Sequence, residues 1–252
     1  MTSGELQGKI ALITGGSRGL GRAIAEGLAE AGATVVVSSR KQDACDQTAA
    51  EITRRTGHPA YAFALHVGHW DEIDPVLDRI ENEVGPIHIL VNNAGIAPVS
   101  PSLAEQTEAL FDKTIEINLK GPFRMMALVG RRMKNRGGGS IINISSIGAL
   151  RPNKTEASYS AAKAGLNTLT MAFAQEYAPT VRVNAVLPGA FATDMSAGWD
   201  EHFVSMVTDG LPAQRIGQPD ELVGAVVYLA SESASYTTGA LLNVDGGRTS
   251  VF

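Results

Sequence analysis

The stretch Leu12–Ala33, LITGGSRGLGRAIAEGLAEAGA, runs from an apolar segment into a helical pattern through a turn with spaced glycines, Gly15, Gly19 and Gly21. Glycine permits tight turning and close approach of the backbone to a ligand. The helix that follows offers amide donors and the positive end of its dipole to a phosphate group. Because the turn follows the first predicted strand and precedes a second, it predicts a dinucleotide-binding site rather than a bare strand-to-helix connection.

Apolar runs rich in Val and Ile alternate with longer helical patterns along the rest of the chain. The predicted strands cover 9–14, 33–39, 60–67, 87–92, 140–145, 181–187 and 240–245, and the predicted helices cover 20–31, 43–54, 71–83, 108–132, 157–177 and 220–230. Parallel strands need helical crossovers, and strands buried on both faces read as continuous apolar runs. The alternation predicts an α/β fold with a doubly wound parallel sheet of seven strands and helices on both faces.

Length and composition limit the possible classes of protein. A chain of 252 residues without an interdomain linker suits a single domain over 1–252. The net charge of -5, without a long basic run, argues against a nucleic-acid partner. A single cysteine, Cys45, excludes an internal disulfide and a cysteine-rich metal site. No apolar run approaches the roughly 20 residues of a membrane span, and the first residues lack a secretory pattern, so we expect a cytoplasmic protein without membrane contact.

The longest irregular segment, 190–218, lies between the sixth predicted strand and the last predicted helix. A segment of this length at the carboxyl end of a strand is more often functional than ornamental. Its apolar side chains, Phe191, Met195, Trp199, Phe203 and Met206, could fold over a hydrophobic substrate or pack the segment onto the core.

Several motifs follow one another in a fixed order: TGGSRGLG at 14–21, NNAG at 92–95, Asn118 in EINLKG, Ser146 in NISSIG, YSAAK at 159–163, PGAFATDM at 188–195 and VDGG at 244–247. In their joint order and spacing the sequence resembles the short-chain dehydrogenase/reductase family over nearly its whole length. The resemblance implies a Rossmann-type sheet and hydride exchange between a nicotinamide cofactor and a carbonyl or secondary alcohol. The pattern is most similar to 3-oxoacyl-carrier-protein reductases and related carbonyl reductases, so 3-oxoacyl reduction is one expectation.

The resemblance implies a catalytic site of Asn118, Ser146, Tyr159 and Lys163. Tyr159 would be the general acid of reduction and the general base of oxidation. Lys163, one helical turn away, would lower the pKa of that phenol together with the oxidised nicotinamide, and would bind the nicotinamide ribose. Ser146 would hold the substrate oxygen, and Asn118 would anchor a water that passes protons to solvent. Ser146 is preferred to Ser145 because it lies thirteen residues before Tyr159.

Cofactor contacts are implied along one edge of the sheet, at Gly15, Ser17, Arg18, Gly19, Leu20, Gly21, Ser39, Arg40, His66, Val67, Asn93, Ala94, Gly95, Tyr159, Lys163, Pro188, Gly189, Phe191 and Thr193. His66 and Val67 replace the Asp or Asn and apolar residue that the family usually has after the third strand. The imidazole could still hydrogen-bond the adenine. Asn93 could stabilise the sheet edge as well as contact a ribose. His66 and His69 have no third ligand nearby, so no metal is predicted.

The end of the second strand favours NADP(H) over NAD(H). Sites for NAD place an acidic residue about 20 positions beyond the glycine turn. This sequence has Ser39 there, followed by Arg40, with Arg18 inside the turn. Guanidinium groups attract a 2′-phosphate and bind its oxygens, whereas a carboxylate would repel it. The alternative is that both arginines are solvated surface charges.

A non-catalytic dinucleotide-binding sensor is the alternative function, because a fold does not settle function. The full set of four site residues favours an enzyme acting on a small molecule, and a methyltransferase would not account for the Tyr–Lys pair. Members of the family usually form symmetric dimers or tetramers through two long helices, here 108–132 and 157–177, and the last strand, 240–245. We therefore expect a homotetramer or homodimer. The small residues Ala161, Ala162, Ala164 and Gly165 could serve that interface or packing within the chain.

Overall fold

The computed structural model describes residues 4–193, 198 and 200–250, without the side chain of Phe203. The strands are β1 (Ile10–Thr14), β2 (Thr34–Ser39), β3 (Ala60–Ala64), β4 (Ile89–Asn92), β5 (Gly139–Ile144), β6 (Val181–Pro188) and β7 (Leu241–Val244). The α-helices are α1 (Gly19–Glu30), α2 (Gln42–Thr56), α3 (Trp70–Glu83), α4 (Glu108–Ile115), α5 (Gly121–Asn135), α6 (Ala157–Tyr177), α7 (Glu201–Thr208) and α8 (Val223–Ala230).

The strands form one parallel sheet in the order β3-β2-β1-β4-β5-β6-β7. This confirms the predicted seven-stranded parallel sheet. The chain order runs outward from the centre in both directions, so the strand order reverses between β1 and β4. In open parallel sheets ligands bind outside the carboxyl ends of the strands at such a reversal.

Helices cover both faces of the sheet over two apolar layers. Successive strand residues point to opposite faces, and accordingly Ile13 joins one layer while Leu12 joins the other. The first layer packs the sheet against α1, α2 and α8, and the second packs it against α3, α5 and α6. The prediction of helices on both faces is confirmed.

The predicted helix over 108–132 is interrupted. The structure has α4, then a π-helical turn at Glu116–Lys120, then α5. Pro122 lies in the first turn of α5. Because proline has no N–H, it cannot donate to the carbonyl of Asn118, four residues before it. The N–H of Gly121 donates instead to the Glu116 carbonyl, five residues back.

Two further expectations differ from the structure. β3 ends at Ala64 rather than at 67, because His66 and the next residues form a turn in which the His69 N–H donates to the His66 carbonyl at 2.9 Å. The segment 190–218 is not wholly irregular, since it contains α7 and a bridge between Phe191 and Gly217. Met195, Trp199 and the Phe203 side chain lie outside the described residues. Within the described ranges, no helix combines the length and apolar character that crossing a bilayer requires.

Candidate active site

The glycine turn connects β1 to the N-terminus of α1. Gly15 and Gly19 have φ values of 65° and 54°, in the left-handed region that favours glycine. α1 begins at Gly19 without a side-chain cap and without an acidic residue in its first turn. The amide donors and positive dipole end of α1 are therefore suited to a phosphate group.

Thr14 and Asn93 hold this turn against the end of β4. The Thr14 hydroxyl accepts the N–H groups of Asn93 and Ala94 at 3.0 and 3.1 Å. The Asn93 amide donates to the carbonyls of Thr14 and Gly15 at 3.0 and 3.2 Å. A Cβ atom at Gly21 would collide with the Asn93 side chain. Asn93 thus stabilises the sheet edge, and Thr14 is a site residue to which the sequence assigned no role.

Two other predicted turn residues contribute through packing and backbone. The carbonyl of Ser17 accepts the Thr48 hydroxyl of α2 at 3.3 Å. The Leu20 side chain packs against the first apolar layer. Both residues thereby fix the turn between β1, α1 and α2.

The end of β2 lies beside the glycine turn, because the Gly16 N–H donates to the Ser38 carbonyl at 3.0 Å. The Ser39 hydroxyl lies 3.1 Å from the buried Cys45 sulfur, and Arg40 is exposed. Burial raises the pKa of the Cys45 thiol, which keeps it protonated. This edge presents a hydroxyl and a guanidinium group, and no carboxylate stands at either position.

His66 and Val67 follow β3. The His66 Nδ1 accepts the Gly68 N–H at 3.2 Å, and the His66 ring stacks on His69 with centroids 4.2 Å apart. Burial first, and then the charges of His69 and Arg40, lower the pKa of His66. The Val67 side chain is buried in the second apolar layer, so only its backbone is available to a ligand. Among the described residues no group of three or more potential metal ligands occurs.

α6 carries the phenol and the ammonium group. The Lys163 side chain is buried, and its Nζ donates to the Ile144 carbonyl at 2.8 Å, at the end of β5. The same Nζ lies 5.7 Å from the centroid of the Tyr159 ring. The structure thus brings these two predicted residues together at the carboxyl edge of the sheet.

Ser146 follows β5 and lies against the same phenol. Its hydroxyl accepts the Gly148 N–H at 3.0 Å, which opens a short 3-10 turn. Burial raises the pKa of Tyr159, hydrogen bonding with Ser146 lowers it, and the charge of Glu156 raises it, so the net direction is upward. This direction is opposite to the one expected from Lys163, because desolvation dominates and the ammonium points to the Ile144 carbonyl. Burial also lowers the pKa of Lys163, to about 8.

Asn118 is buried in the π-helical turn, and its side chain makes three hydrogen bonds. Its Oδ1 accepts the Ile96 N–H at 3.1 Å, and its Nδ2 donates to the carbonyls of Ile96 and Thr114, both at 2.9 Å. Both amide hydrogens and one acceptor position of the side chain are therefore used within the chain. The backbone carbonyl of Asn118 lacks its regular helical donor, because Pro122 has no N–H. Gly95 lies close to the side chains of Asn118 and Lys163, since a Cβ atom there would lie 2.7 Å from the Asn118 Oδ1 and 3.7 Å from the Lys163 Nζ.

The end of β6 closes the site on the other side. A Cβ atom at Gly189, which follows Pro188, would lie 2.8 Å from the Asp245 Cα, so glycine permits close approach to the end of β7. The Phe191 side chain is buried in the first apolar layer rather than in a substrate pocket. Its bridge to Gly217 uses the N–H of Ala192 and the carbonyl of Ala190, so the N–H and C=O of Phe191 itself face the other way.

Thr193 lies next to the glycine turn. A Cβ atom at Gly19 would lie 3.7 Å from the Thr193 Cβ. The two ends of the predicted cofactor set, from β1 and from β6, therefore meet at one place.

Glu156 adjoins the Tyr159 phenol, and no motif in the sequence pointed to it. It immediately precedes α6, and its carboxyl group is partly buried. Its position three residues before Tyr159 is the signal that could have identified it, because the residue that precedes a helix adjoins its first turn.

Comparisons with known proteins agree with this geometry. The family model described as enoyl-(acyl carrier protein) reductase matches residues 15–249. The chain is 39% identical over 248 residues to 2-dehydro-3-deoxy-D-gluconate 5-dehydrogenase of Formosa agariphila, covering 96% of this chain and 93% of the relative. It is 38% identical over 245 residues to the 3-oxoacyl-acyl-carrier-protein reductase FabG of Aquifex aeolicus, covering 96% and 98%.

A solved structure is equally similar. The gluconate 5-dehydrogenase from Burkholderia cenocepacia, in complex with NADP and tartrate, superposes with a TM-score of 0.94 at 36% identity, covering 98% of this chain and 97% of that one. These relatives are named dehydrogenases and reductases, which supports the predicted enzyme over the non-catalytic sensor. The chain belongs to the short-chain dehydrogenase/reductase family and is an NAD(P)-dependent oxidoreductase.

Proposed function

We propose that this chain exchanges a hydride between NADP(H) and a ketone or secondary alcohol, with Tyr159 as the general acid and base. The observation that carries the proposal is the meeting of Tyr159, Lys163 and Ser146 at the carboxyl end of β5. A non-reacting binding protein has no need of a buried ammonium group beside a phenol.

The proton chemistry belongs to the side chains of the site. Tyr159 donates its proton to the substrate oxygen in reduction and accepts it back in oxidation. Burial holds the pKa of Tyr159 above its usual value, so the phenol stands ready as an acid at neutral pH. Ser146 can orient the substrate oxygen beside it with a hydrogen bond.

The residues present fit a dinucleotide. The amides at the start of α1 would hold the pyrophosphate, Lys163 would reach the nicotinamide ribose, and the N–H and C=O of Phe191 would face the carboxamide. When bound, the nicotinamide supplies or accepts the hydride. The chain contributes orientation, polarity and the proton.

The preference for NADP(H) is supported by the end of β2. Ser39 and Arg40 offer a hydroxyl donor and a positive charge where an NAD-specific site needs a carboxylate. Arg18 adds a second guanidinium group in the neighbouring glycine turn. Two similar structures from gluconate 5-dehydrogenases hold NADP.

The substrate is proposed as a class, ketones and the matching secondary alcohols. The similarity to FabG supports 3-oxoacyl reduction, and the similarity to the gluconate-type enzymes supports polyhydroxylated substrates. The identities are nearly equal, at 38% and 39%, so they do not choose between the two.

A screen tests the proposal. Purified protein is assayed with NADPH or NADH against simple ketones, hydroxyketones, a 2-keto-3-deoxy sugar acid and a 3-oxoacyl thioester, and with NADP⁺ or NAD⁺ against the corresponding alcohols. We expect turnover of at least one ketone, faster with NADPH than with NADH. Absence of turnover in a protein that binds NADPH would contradict the proposal.

We also propose a homodimer or homotetramer in the cytoplasm. Phe111 and Phe123, on α4 and α5, are 45% and 38% exposed, and Ala161 lies in a groove between α4 and α6. Ala162 and Gly165 serve the chain's own packing instead, since Ala162 is buried and Gly165 lies against Leu119. Sedimentation that shows only monomer at micromolar concentration would contradict this assembly.

A further inference from the structure

We propose that Glu156 is a substrate-binding residue, which accepts a hydrogen bond from a hydroxyl group that the substrate carries beside its reacting carbonyl. The inference rests on the proposed ketone chemistry and narrows its substrates to hydroxylated ketones and the matching polyols. A 3-oxoacyl thioester carries no hydroxyl at that place.

Glu156 is the N-cap residue of α6 and stands three residues before Tyr159, which lies in the first turn of that helix. Its φ and ψ of -127° and 32° are not helical, so it lies at the end of α6 rather than on one of its faces. The charge of Glu156 acts on the Tyr159 phenol. The neighbouring residues Ala157, Ser158 and Ala161 line the groove against α4.

The fold itself makes no use of the Glu156 carboxylate. Among the described residues it has no hydrogen bond or ion pair, and it makes no cap bond to the start of α6. Burial raises the pKa of Glu156, and no cation opposes that effect. Partial burial of an unpaired carboxylate costs free energy, and a hydrogen-bond donor on a bound substrate would offset that cost.

Exposed apolar side chains stand on the two segments that adjoin the start of α6. The Ser100 N–H donates to the Thr155 carbonyl at 2.9 Å, which brings the segment after β4 beside Glu156. Val99 on that segment and Leu150 on the turn after Ser146 are 65% and 50% exposed. Two apolar side chains and one carboxylate suit a small carbonyl compound with a donor group.

A neutral hydroxyl fits better than either charged group. An ionised carboxylate accepts hydrogen bonds and donates none, so its substrate partner must be a donor. A substrate carboxylate would be repelled by Glu156. A substrate ammonium would meet the positive charges of Lys163 and of an oxidised nicotinamide.

The variant Glu156→Gln tests this assignment, because it removes the charge and keeps the size. Reduction of hydroxyacetone is compared with reduction of butanone, in which a methyl group replaces the hydroxyl. We expect kcat/KM for hydroxyacetone to fall about 10- to 100-fold, the range for a hydrogen bond to a charged group, and kcat/KM for butanone to change less than about twofold. Glu176→Gln, at the far end of α6, is the matched control and should change neither value.

The pH profile gives a second reading that a structural role would not move. The charged groups near Tyr159 are Glu156, which precedes α6, and Lys163 of α6, and the turn after β5 adds the Ser146 hydroxyl. Without the Glu156 charge the pKa of Tyr159 should fall. The phenol titration, measured by ultraviolet absorbance against Tyr159→Phe as the blank, should therefore shift to lower pH in Glu156→Gln.

Equal losses for both ketones, or no loss for hydroxyacetone, would overturn the assignment, as would an unchanged phenol titration. A larger fall in kcat/KM for aminoacetone than for hydroxyacetone in Glu156→Gln would also overturn it, because the partner of Glu156 would then be an ammonium group and not a hydroxyl. A wild-type protein that reduces no ketone at all would contradict the proposed function. The phenol titration would still test whether the charge of Glu156 acts on Tyr159.

Discussion

The ammonium nitrogen of Lys163 donates a hydrogen bond to the Ile144 carbonyl oxygen at 2.8 Å and lies 5.7 Å from the centroid of the Tyr159 ring. One carbonyl holds the buried ammonium group, and burial lowers the pKa of Lys163. A charge in this position lowers the stability of the fold, and the proposed chemistry gives the reason for keeping it.

Lys163→Met should raise stability while removing activity. Burial lowers the pKa of Lys163 to about 8, whereas an unfolded lysine titrates near pH 10.4. Between those values the unfolded chain binds more protons than the folded one, so the wild-type free energy of unfolding rises with pH. Below pH 8 the lysine is charged in both the folded and the unfolded chain, and burying that charge lowers the free energy of unfolding.

We expect the free energy of unfolding of Lys163→Met to exceed the wild-type value by about 1–2 kcal/mol at pH 7. The substitution removes the cost of burying the ammonium group, and this outweighs the loss of its hydrogen bond to the Ile144 carbonyl. The difference should narrow from pH 8 to pH 10. Denaturant unfolding without cofactor, at several pH values, measures it. A constant difference across that range would contradict the lowered pKa of Lys163.

The sequence predicted the sheet and the paired phenol and ammonium well, because these depend on periodicity and spacing. Strand alternation and the four-residue step from Tyr159 to Lys163 are local patterns. The sequence did not predict the break of the helix around Asn118, although Pro122 lacks the N–H that a regular helix would need there. The apolar pattern continues without interruption across this point, and it favoured one continuous helix. The hydrogen bonds of Asn93, and those between Asn118 and Ile96, could not be predicted, since their partners lie far away in the sequence.

Asn118→Leu should destabilise the loop after β4. The substitution leaves the Ile96 N–H and C=O and the Thr114 carbonyl without their partner, and each unsatisfied buried group costs about 1–3 kcal/mol. We expect a lower melting temperature and a lower kcat. Asn118→Asp should fall between wild type and Asn118→Leu, because a carboxylate can accept the Ile96 N–H but cannot donate. Stability equal to wild type in Asn118→Leu would show that the side chain does not hold the loop.

Ser39→Asp with Arg40→Leu should reverse the cofactor preference. The new carboxylate would accept the ribose 2′-hydroxyl of NAD(H) and repel a 2′-phosphate. The ratio of kcat/KM for NADPH to that for NADH measures the change. Arg54→Leu, an exposed arginine within α2, serves as the control for the loss of one positive charge. A wild type that prefers NADH, or an unchanged ratio in the double variant, would mean that the end of β2 was misread.

Arg132 joins α5 to α3 through three carboxylates, and Arg132→Met should weaken that contact. Its guanidinium lies 2.6, 2.7 and 3.1 Å from Asp74, Asp78 and Glu81. Burial opposes ionisation of Glu81, but Arg136 and Arg132 outweigh it and hold the pKa of Glu81 below its usual value.

A carboxyl with a depressed folded pKa stabilises the protein above its unfolded pKa, near 4.3, and the contribution is lost as pH falls through the folded pKa. We therefore expect Arg132→Met to lose about 2 kcal/mol at pH 7 and clearly less near pH 3. Arg79→Met, which removes an exposed pair, should lose less than about 1 kcal/mol. Thermal unfolding at both pH values checks this, and a pH-independent loss would argue against the ion pairs.

The most direct test of the account is turnover by Tyr159→Phe, with Tyr177→Phe on the same helix as the control. The first substitution removes only the phenolic hydroxyl at the site, and the second removes one that donates to the Ala127 carbonyl at 3.1 Å, away from it. We expect kcat for ketone reduction at saturating NADPH to fall about 100- to 10,000-fold in Tyr159→Phe, with the NADPH dissociation constant nearly unchanged and Tyr177→Phe fully active. Near-normal turnover by Tyr159→Phe would contradict its role as the general acid.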